Sequence, residues 1–250
     1  MGAGRSQSKE LLSVDEVAGY LGVGPVTIYR WCREERLPCM KIGRVWRIRR
    51  QALEDFLERS EQSFTLAGRL RSFLEIPDNI LSITQDIELM HRLDVAFFGV
   101  GESRGGTMIK YHSESGGSLE ELRAELGKYG LAVSRLEAEG RLRFVEEKGP
   151  PGSRGDMLRR LIEEEGGDDR SVWVDFDWEE RIDFETAIEQ QRDLADLVQD
   201  SRLVVNTGLL ERSLNDWTGS SLRQAQVLHS GTIWLSETGM SLSRVSPPVF

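Results

Sequence analysis

The 250-residue chain holds two cysteines, three histidines and seven prolines, and no apolar run long enough to span a bilayer. Each scarcity excludes something. With nothing near 17 consecutive apolar residues, no membrane partner is expected. The opening MGAGRSQSKE has no apolar core of a secretory signal, and its Met-Gly lacks the rest of an acylation signal. Cys32 and Cys39 do not follow a metal-binding spacing, and no other cysteine is available to them. Cys32 reads as a small buried hydrophobe, with a redox-sensing pair as the alternative. His91, His112 and His229 are scattered without ligand spacing. No metal and no cofactor are therefore expected, and the reading is of a reduced, cytoplasmic protein.

What is present is concentrated near the start. Ser13 followed by Glu16 is a capping box that opens a helix. Val14, Val17, Ala18 and Leu21 give that helix one apolar face. Gly22-Val23-Gly24 breaks it, and Pro25 suits the first turn of a second helix. There Ile28, Trp31, Cys32 and Glu35 share one side, and Val26, Thr27, Arg30 and Arg33 the other. The segment MKIGRVWRIRR alternates around Gly43-Arg44, so it reads as a hairpin with Trp46 and Ile48 inward and Arg47 and Arg49 outward. Helix, turn, helix and wing is the layout that sets a helix into the major groove of DNA.

Charge follows the same division. Residues 1–60 hold 11 Lys/Arg against 8 Asp/Glu, and the remainder 21 against 34. Between Val23 and Arg50 the count is 8 basic to 2 acidic. An acidic chain with a basic first quarter points to a small DNA-facing module on a body that does not touch DNA.

The string TIYRWCREERLPCMKIGRVWRIRR closely resembles the excisionase/MerR-type DNA-binding domain. The resemblance implies that Thr27, Tyr29, Arg30 and Arg33 meet double-stranded DNA from the helix, and Lys41, Arg44 and Arg47 from the wing.

The chain divides as a winged helix-turn-helix at 1–60, a linker helix at 61–78 and an α/β domain at 79–250. Leu53, Phe56, Leu57, Phe64, Leu70, Phe73 and Leu74 form a broken helical stripe that a second domain or a partner subunit must cover. A homodimer on two half-sites is the expected assembly. Beyond Pro77-Asp78, strands are read at 95–101, 107–113, 141–147, 171–178, 202–210 and 231–239, alternating with helices. That alternation argues for a largely parallel α/β sheet, with ligands beyond the carboxyl ends of its strands.

VAFFGVGESRGGT invites comparison with a phosphate-binding loop, but neither register supplies the lysine, so no nucleotide hydrolysis is expected and the chain is not read as an enzyme. The order of elements, with GLAVSRLEAEGRLRFV, VWVDFDW and LLERSLNDW, resembles a RecA/KaiC-type core with an eroded loop. More narrowly it resembles the MEDS sensory domain, whose members include the regulator of dichloromethane dehalogenase. The resemblance implies a sensor for an unknown small-molecule effector.

Candidate effector-binding residues are Glu102, Ser103 and Arg104 after the first strand, His112 and Glu114 after the second, Asp175, Asp177 and Trp178 at the fourth, and Thr207 on the fifth. Arg154-Gly155-Asp156, with Asp168-Asp169-Arg170, adds arginine/aspartate pairs of the kind that grip cyclic dinucleotides such as cyclic di-GMP. The resulting expectation is a ligand-responsive transcriptional regulator. A recombination directionality factor and a docking protein for a sigma factor or kinase are the alternatives.

Overall fold

The computed structural model describes residues 10–112, 117–146, 154–165, 170–178, 184–199 and 202–244. The chain forms two compact units, Met1–Arg69 and Leu70–Phe250.

The first unit runs β1 (Leu11–Ser13), α1 (Val14–Leu21), α2 (Pro25–Arg33), β2 (Cys39–Ile42), β3 (Val45–Arg49) and α3 (Arg50–Phe64). The Ser13–Glu16 capping box is closed in both directions, and α1 stops where Gly22 turns left-handed. The three strands form an antiparallel sheet in the order β1-β3-β2. The sequence suggests two strands; Leu11–Ser13 is a third, too short to show an alternating pattern of its own. Val14, Val17, Ile28, Leu37, Ile48 and Leu53 close the core, with Trp31 against Phe56 at 5.2 Å.

Cys32 and Cys39 are joined by a disulfide. This overturns the expectation of two unpaired, reduced thiols. The loop 34–38 folds back through Arg36 and Leu37 amides bonded to the Trp31 carbonyl, which returns the start of β2 to the end of α2.

α4 (Leu66–Phe73) leads to the second unit, which continues β4 (Asp78–Thr84), α5 (Ile87–Ser103), β5 (Thr107–His112), α6 (Leu119–Lys128), α7 (Val133–Ala138), β6 (Leu142–Glu146), α8 (Arg154–Glu165), β7 (Val172–Asp177), α9 (Phe184–Gln199), β8 (Leu203–Leu210), a 3-10 turn (Glu211–Asp216), α10 (Gly219–Val227), β9 (Gly231–Ser236) and β10 (Gly239–Arg244). The sheet order is β10-β9-β4-β8-β7-β5-β6. All pairings are parallel except β10 on β9. The mostly parallel α/β architecture agrees with the sequence reading.

Two elements differ from it. Residues 95–101 belong to α5, not to a strand. Asp86 caps that helix, and Met90, Leu93, Asp94, Phe97, Val100 and Gly101 are buried along it. The run FFGVG is dense because this helix is covered over a wide arc, a case that periodicity over a few residues cannot separate from a strand. The first strand of the sheet is instead β4, buried at all seven positions. Its polar residues disguise it. Asp78 binds the Arg244 guanidinium at 2.7 and 2.9 Å, and the Asn79 amide donates to the Leu228 carbonyl at 3.0 Å.

The apolar stripe of the linker serves two cores. Leu53, Phe56 and Leu57 belong to the winged core. Phe73 lies under the Arg244 guanidinium at 4.2 Å in the second unit. No described helix is long and apolar enough to cross a membrane.

Candidate functional site

On α2 the spacing of 26, 29, 30 and 33 draws one stripe along the helix. Val26, Tyr29, Arg30 and Arg33 are all exposed, while Ile28 and Cys32 are buried opposite. The Arg33 Nε donates to the Tyr29 carbonyl at 3.3 Å, which lays the guanidinium along the helix surface. Thr27 is half-buried at the margin, and its amide closes on the Gly24 carbonyl. Glu35 lies beyond the end of α2, in a left-handed turn at φ 56°.

Gly43 and Arg44 form the two-residue tip of the β2–β3 hairpin, with Ile42 paired to Val45. Gly43 takes φ +62°, which a tight hairpin of this length requires at its first turn residue. Lys41 and Arg44 are exposed, whereas Arg47 is half-buried and donates to the Trp46 carbonyl at 3.0 Å. Lys41 is registered with Trp46, and Arg47 with Met40. Paired residues share a sheet face, so Lys41 and Arg47 lie on opposite faces with Arg44 between. The basic residues surround the wing instead of lining one side of it.

In the second unit, Trp173, Asp175 and Asp177 alternate onto the β7 face that meets α5. Lys110 on β5 is registered with Asp175, and Asp175 with Asn206 on β8. The buried Lys110 ammonium donates to Asp94 on α5 at 3.0 Å, to Asp175, and to Asp177 at 2.9 Å. The Asn206 amide donates to the other Asp175 oxygen at 2.5 Å. Carboxylate oxygens of Asp94, Asp175 and Asp177 lie within 4.8 Å of one another, a grouping that could hold a cation, and the ammonium is bonded to all three residues. Burial raises the Asp94 carboxyl well above its ordinary range, reinforced by Asp175. Burial likewise raises Asp175, against the pull of Lys110. Burial pulls Lys110 down, but the facing carboxylates, Asp175 first, outweigh it and hold the ammonium charged. The arrangement ties α5 to three adjacent strands.

A cleft of about 650 Å³ opens at the carboxyl ends of β5 and β6, lined by His112, Gly117, Ser118, Leu119, Phe144 and Glu146.

The helix-turn-helix domain family matches residues 11–61. Putative DNA-binding protein Rv0500A of Mycobacterium tuberculosis (strain ATCC 25618 / H37Rv) is 37% identical over 57 residues, which cover 23% of this chain and 73% of that protein. Putative DNA-binding protein MT0521 of strain CDC 1551 / Oshkosh matches equally. The chain belongs to the helix-turn-helix domain family. The solved structure of PH0250 from Pyrococcus horikoshii OT3 has a TM-score of 0.52 at 9% identity, covering 74% of this helix-turn-helix protein and 99% of that chain, and shows a shared fold. A KaiC-like protein from the same organism, PH0186, gives 0.48 at 10% identity over 68% and 77% of the two chains.

Several predicted effector residues of the helix-turn-helix protein are occupied elsewhere. Glu102, Ser103 and Arg104 end α5 and precede β5, so they do not follow a strand. Glu102 accepts from Arg135 at 2.5 Å, Ser103 donates to the Val100 carbonyl, and Arg104 donates to the Arg71 and Leu74 carbonyls at 3.0 Å each. The nearby glycines answer to Trp173. A Cβ on Gly101 would meet its ring at 2.7 Å, and one on Gly106 at 2.4 Å. Gly105, at φ +74°, turns the chain out of the helix. These glycines end a helix under an indole and do not form a phosphate loop.

Trp178 is buried against Trp217 at 5.2 Å, and Thr207 donates to Gln191. Asp156 pairs with Arg159 at 2.7 Å; Arg154 begins α8. Glu114, Asp168 and Asp169 fall outside the described residues. Among the described residues of the predicted set, His112 alone lines the cleft. Asp94, Lys110 and Asn206 were missed. One signal for Lys110 was in view, a lone cation inside the apolar strand TMIKYH, since a buried lysine needs an anionic partner.

Proposed function

We propose that this protein is a ligand-responsive transcriptional regulator. The winged unit binds double-stranded DNA as an excisionase/MerR-type reader. The second unit is a MEDS-type sensor that binds a small molecule without hydrolysing nucleotide, and the protein acts as a cytoplasmic homodimer. The observation that carries the reading is the exposed stripe of Tyr29, Arg30 and Arg33 beside a wing bearing Lys41 and Arg44. Cations on a helix and a wing of one small unit suit a groove flanked by phosphates. The Putative DNA-binding proteins that share this region support the same conclusion.

Two features support sensing without turnover. Only Gln85 and Asp86 separate β4 from α5, too short a connection for a loop that wraps phosphates. Lys110, the lysine nearest in sequence to the glycines at 99–106, is held by three aspartates. The cleft beside His112, Phe144 and Glu146 supports the reading as a seat for the effector, since it lies beyond the carboxyl ends of parallel strands, where such sheets bind ligands. Its binding shifts DNA affinity only by its differential affinity for two states of the protein.

Selection of duplexes from a randomised library tests the DNA reading, and failure to enrich any duplex over input refutes it. A thermal-shift screen of metabolites and cyclic dinucleotides tests sensing. The expected result is a stabilising compound whose effect is lost in His112→Ala, with no phosphate released from ATP or GTP. Steady phosphate release removed by Asp175→Asn would overturn the non-hydrolysing assignment.

A further inference from the structure

We infer that Val26 is a specificity-determining residue of the reading helix and packs against the C5-methyl group of a thymine in the major groove. This rests on the winged unit being a DNA binder and adds the chemistry of one base it selects.

Val26 is the second residue of α2, after Pro25, and is 76% exposed, the highest value among the large exposed hydrophobics of the described residues. It lies in the stripe with Tyr29, Arg30 and Arg33 and makes no part of the winged core. An apolar side chain left in water at the head of a basic stripe calls for a partner that is both polyanionic and locally apolar. Duplex DNA has one apolar group on a base edge of its major groove, the thymine methyl. The first residues of a recognition helix are the ones that reach base edges, while cations further along can hold phosphate. Valine also suits the task physically. Its branched side chain has one strongly preferred rotamer in a helix, so it loses little freedom on docking.

The remaining exposed apolar residues of this unit do not compete for the role. Among the described residues they are Leu11 on β1, Tyr20 in the last turn of α1, Tyr29 on α2, and Ile42 and Val45 beside the hairpin tip. Of these Tyr29 alone lies on α2, one turn after Val26, and it is 39% exposed against 76% for Val26; the others lie off the reading helix.

The test uses the full chain and duplexes selected from a randomised library. Each thymine of the selected site is replaced in turn by deoxyuridine, which removes only the methyl. The expected result is one position per half-site where wild-type affinity falls by about fourfold or more, the equivalent of one buried methyl group. Val26→Ala should bind the thymine duplex as weakly as wild type binds the uracil duplex, and should lose nothing further on the change to uracil. Alanine at an exposed helical position keeps the fold, and circular dichroism checks this. Equal wild-type affinity for both duplexes at every position overturns the inference, as does a uracil penalty that persists in Val26→Ala. If no duplex is selected at all, the DNA-binding reading fails first and this inference with it, an outcome distinct from binding without methyl discrimination.

Discussion

The two units handle positive charge in opposite ways. In the winged unit Arg30, Arg33, Lys41 and Arg44 stand in solvent. In the α/β unit Lys110 is buried and bonded to three aspartates. A solvated guanidinium keeps its hydration until a partner replaces it, so it is available for recognition at little cost to the fold. A buried ammonium has lost that hydration and depends on its carboxylates, so its role is to hold elements in place. The lesson is that net charge describes a unit poorly. The acidic unit contains a buried cation that ties its elements together, and the basic unit carries Arg30, Arg33, Lys41 and Arg44 on its surface.

The strongest way to break this comparison is Lys110→Met. It leaves buried carboxylates without their cation and is expected to destabilise the α/β unit by about 3–5 kcal/mol in urea unfolding. A cost near zero would mean that the cluster is not a structural tie. Asp94→Asn is milder and reports through pH. Burial holds the Asp94 and Asp175 protons in the folded chain at pH values where the unfolded chain has released them. Their contribution to stability is therefore greatest in acid and declines as pH rises from the ordinary carboxylate range through the raised folded values. Asp94→Asn should flatten that decline, and an unchanged slope would place the titration elsewhere.

Gly106→Ala comes next. Its Cβ would lie 2.4 Å from Trp173 Cδ1 and 2.9 Å from the Ser171 carbonyl oxygen, an overpacking cost of about 1–3 kcal/mol. Gly99→Ala, inside α5 with nothing within 4 Å of its Cβ, should instead stabilise by about 0.5–1 kcal/mol. Equal effects of the two in thermal unfolding would refute the account of these glycines as packing residues.

In the winged unit the effects should appear in binding and leave unfolding nearly unchanged. Arg30→Ala is expected to weaken binding to a selected duplex by about 1–3 kcal/mol in gel-shift titration. Smallest is the wing. Arg44→Ala should lower affinity for all duplexes alike and reduce the salt slope by about one unit. Arg47→Ala should change it less, because Arg47 is half-buried and bonded to the Trp46 carbonyl. A larger slope change for Arg47 would reverse the assignment of the tip.

The winged unit was legible because its signals are local. The Ser13–Glu16 box, Pro25 at the start of a helix and glycine at a hairpin tip each act within a few residues, and each is found where the sequence indicates it. The α/β sheet was legible as a class for the same reason: its helices and most of its strands alternate openly. β4 was not, because Asp78 and Asn79 are satisfied by Arg244 and Leu228, far away in the chain. Nor was the charge cluster, whose members come from residues 94, 110, 175, 177 and 206 and meet only through strand order. The role of the glycines of residues 99–106 was hidden for a related reason. Their spacing resembles a loop motif, but the neighbour that explains Gly101 and Gly106 is Trp173.

Because Cys32 and Cys39 are the chain's two cysteines and are bonded to each other, no free thiol remains. The oxidised protein is thus unreactive toward maleimides, and a single added cysteine becomes a unique attachment point. Ser134→Cys, on an exposed position of α7, would carry one dye or spin label per protomer. Distances between such labels in a paired assembly could then be read directly in solution, with no background from the native sequence.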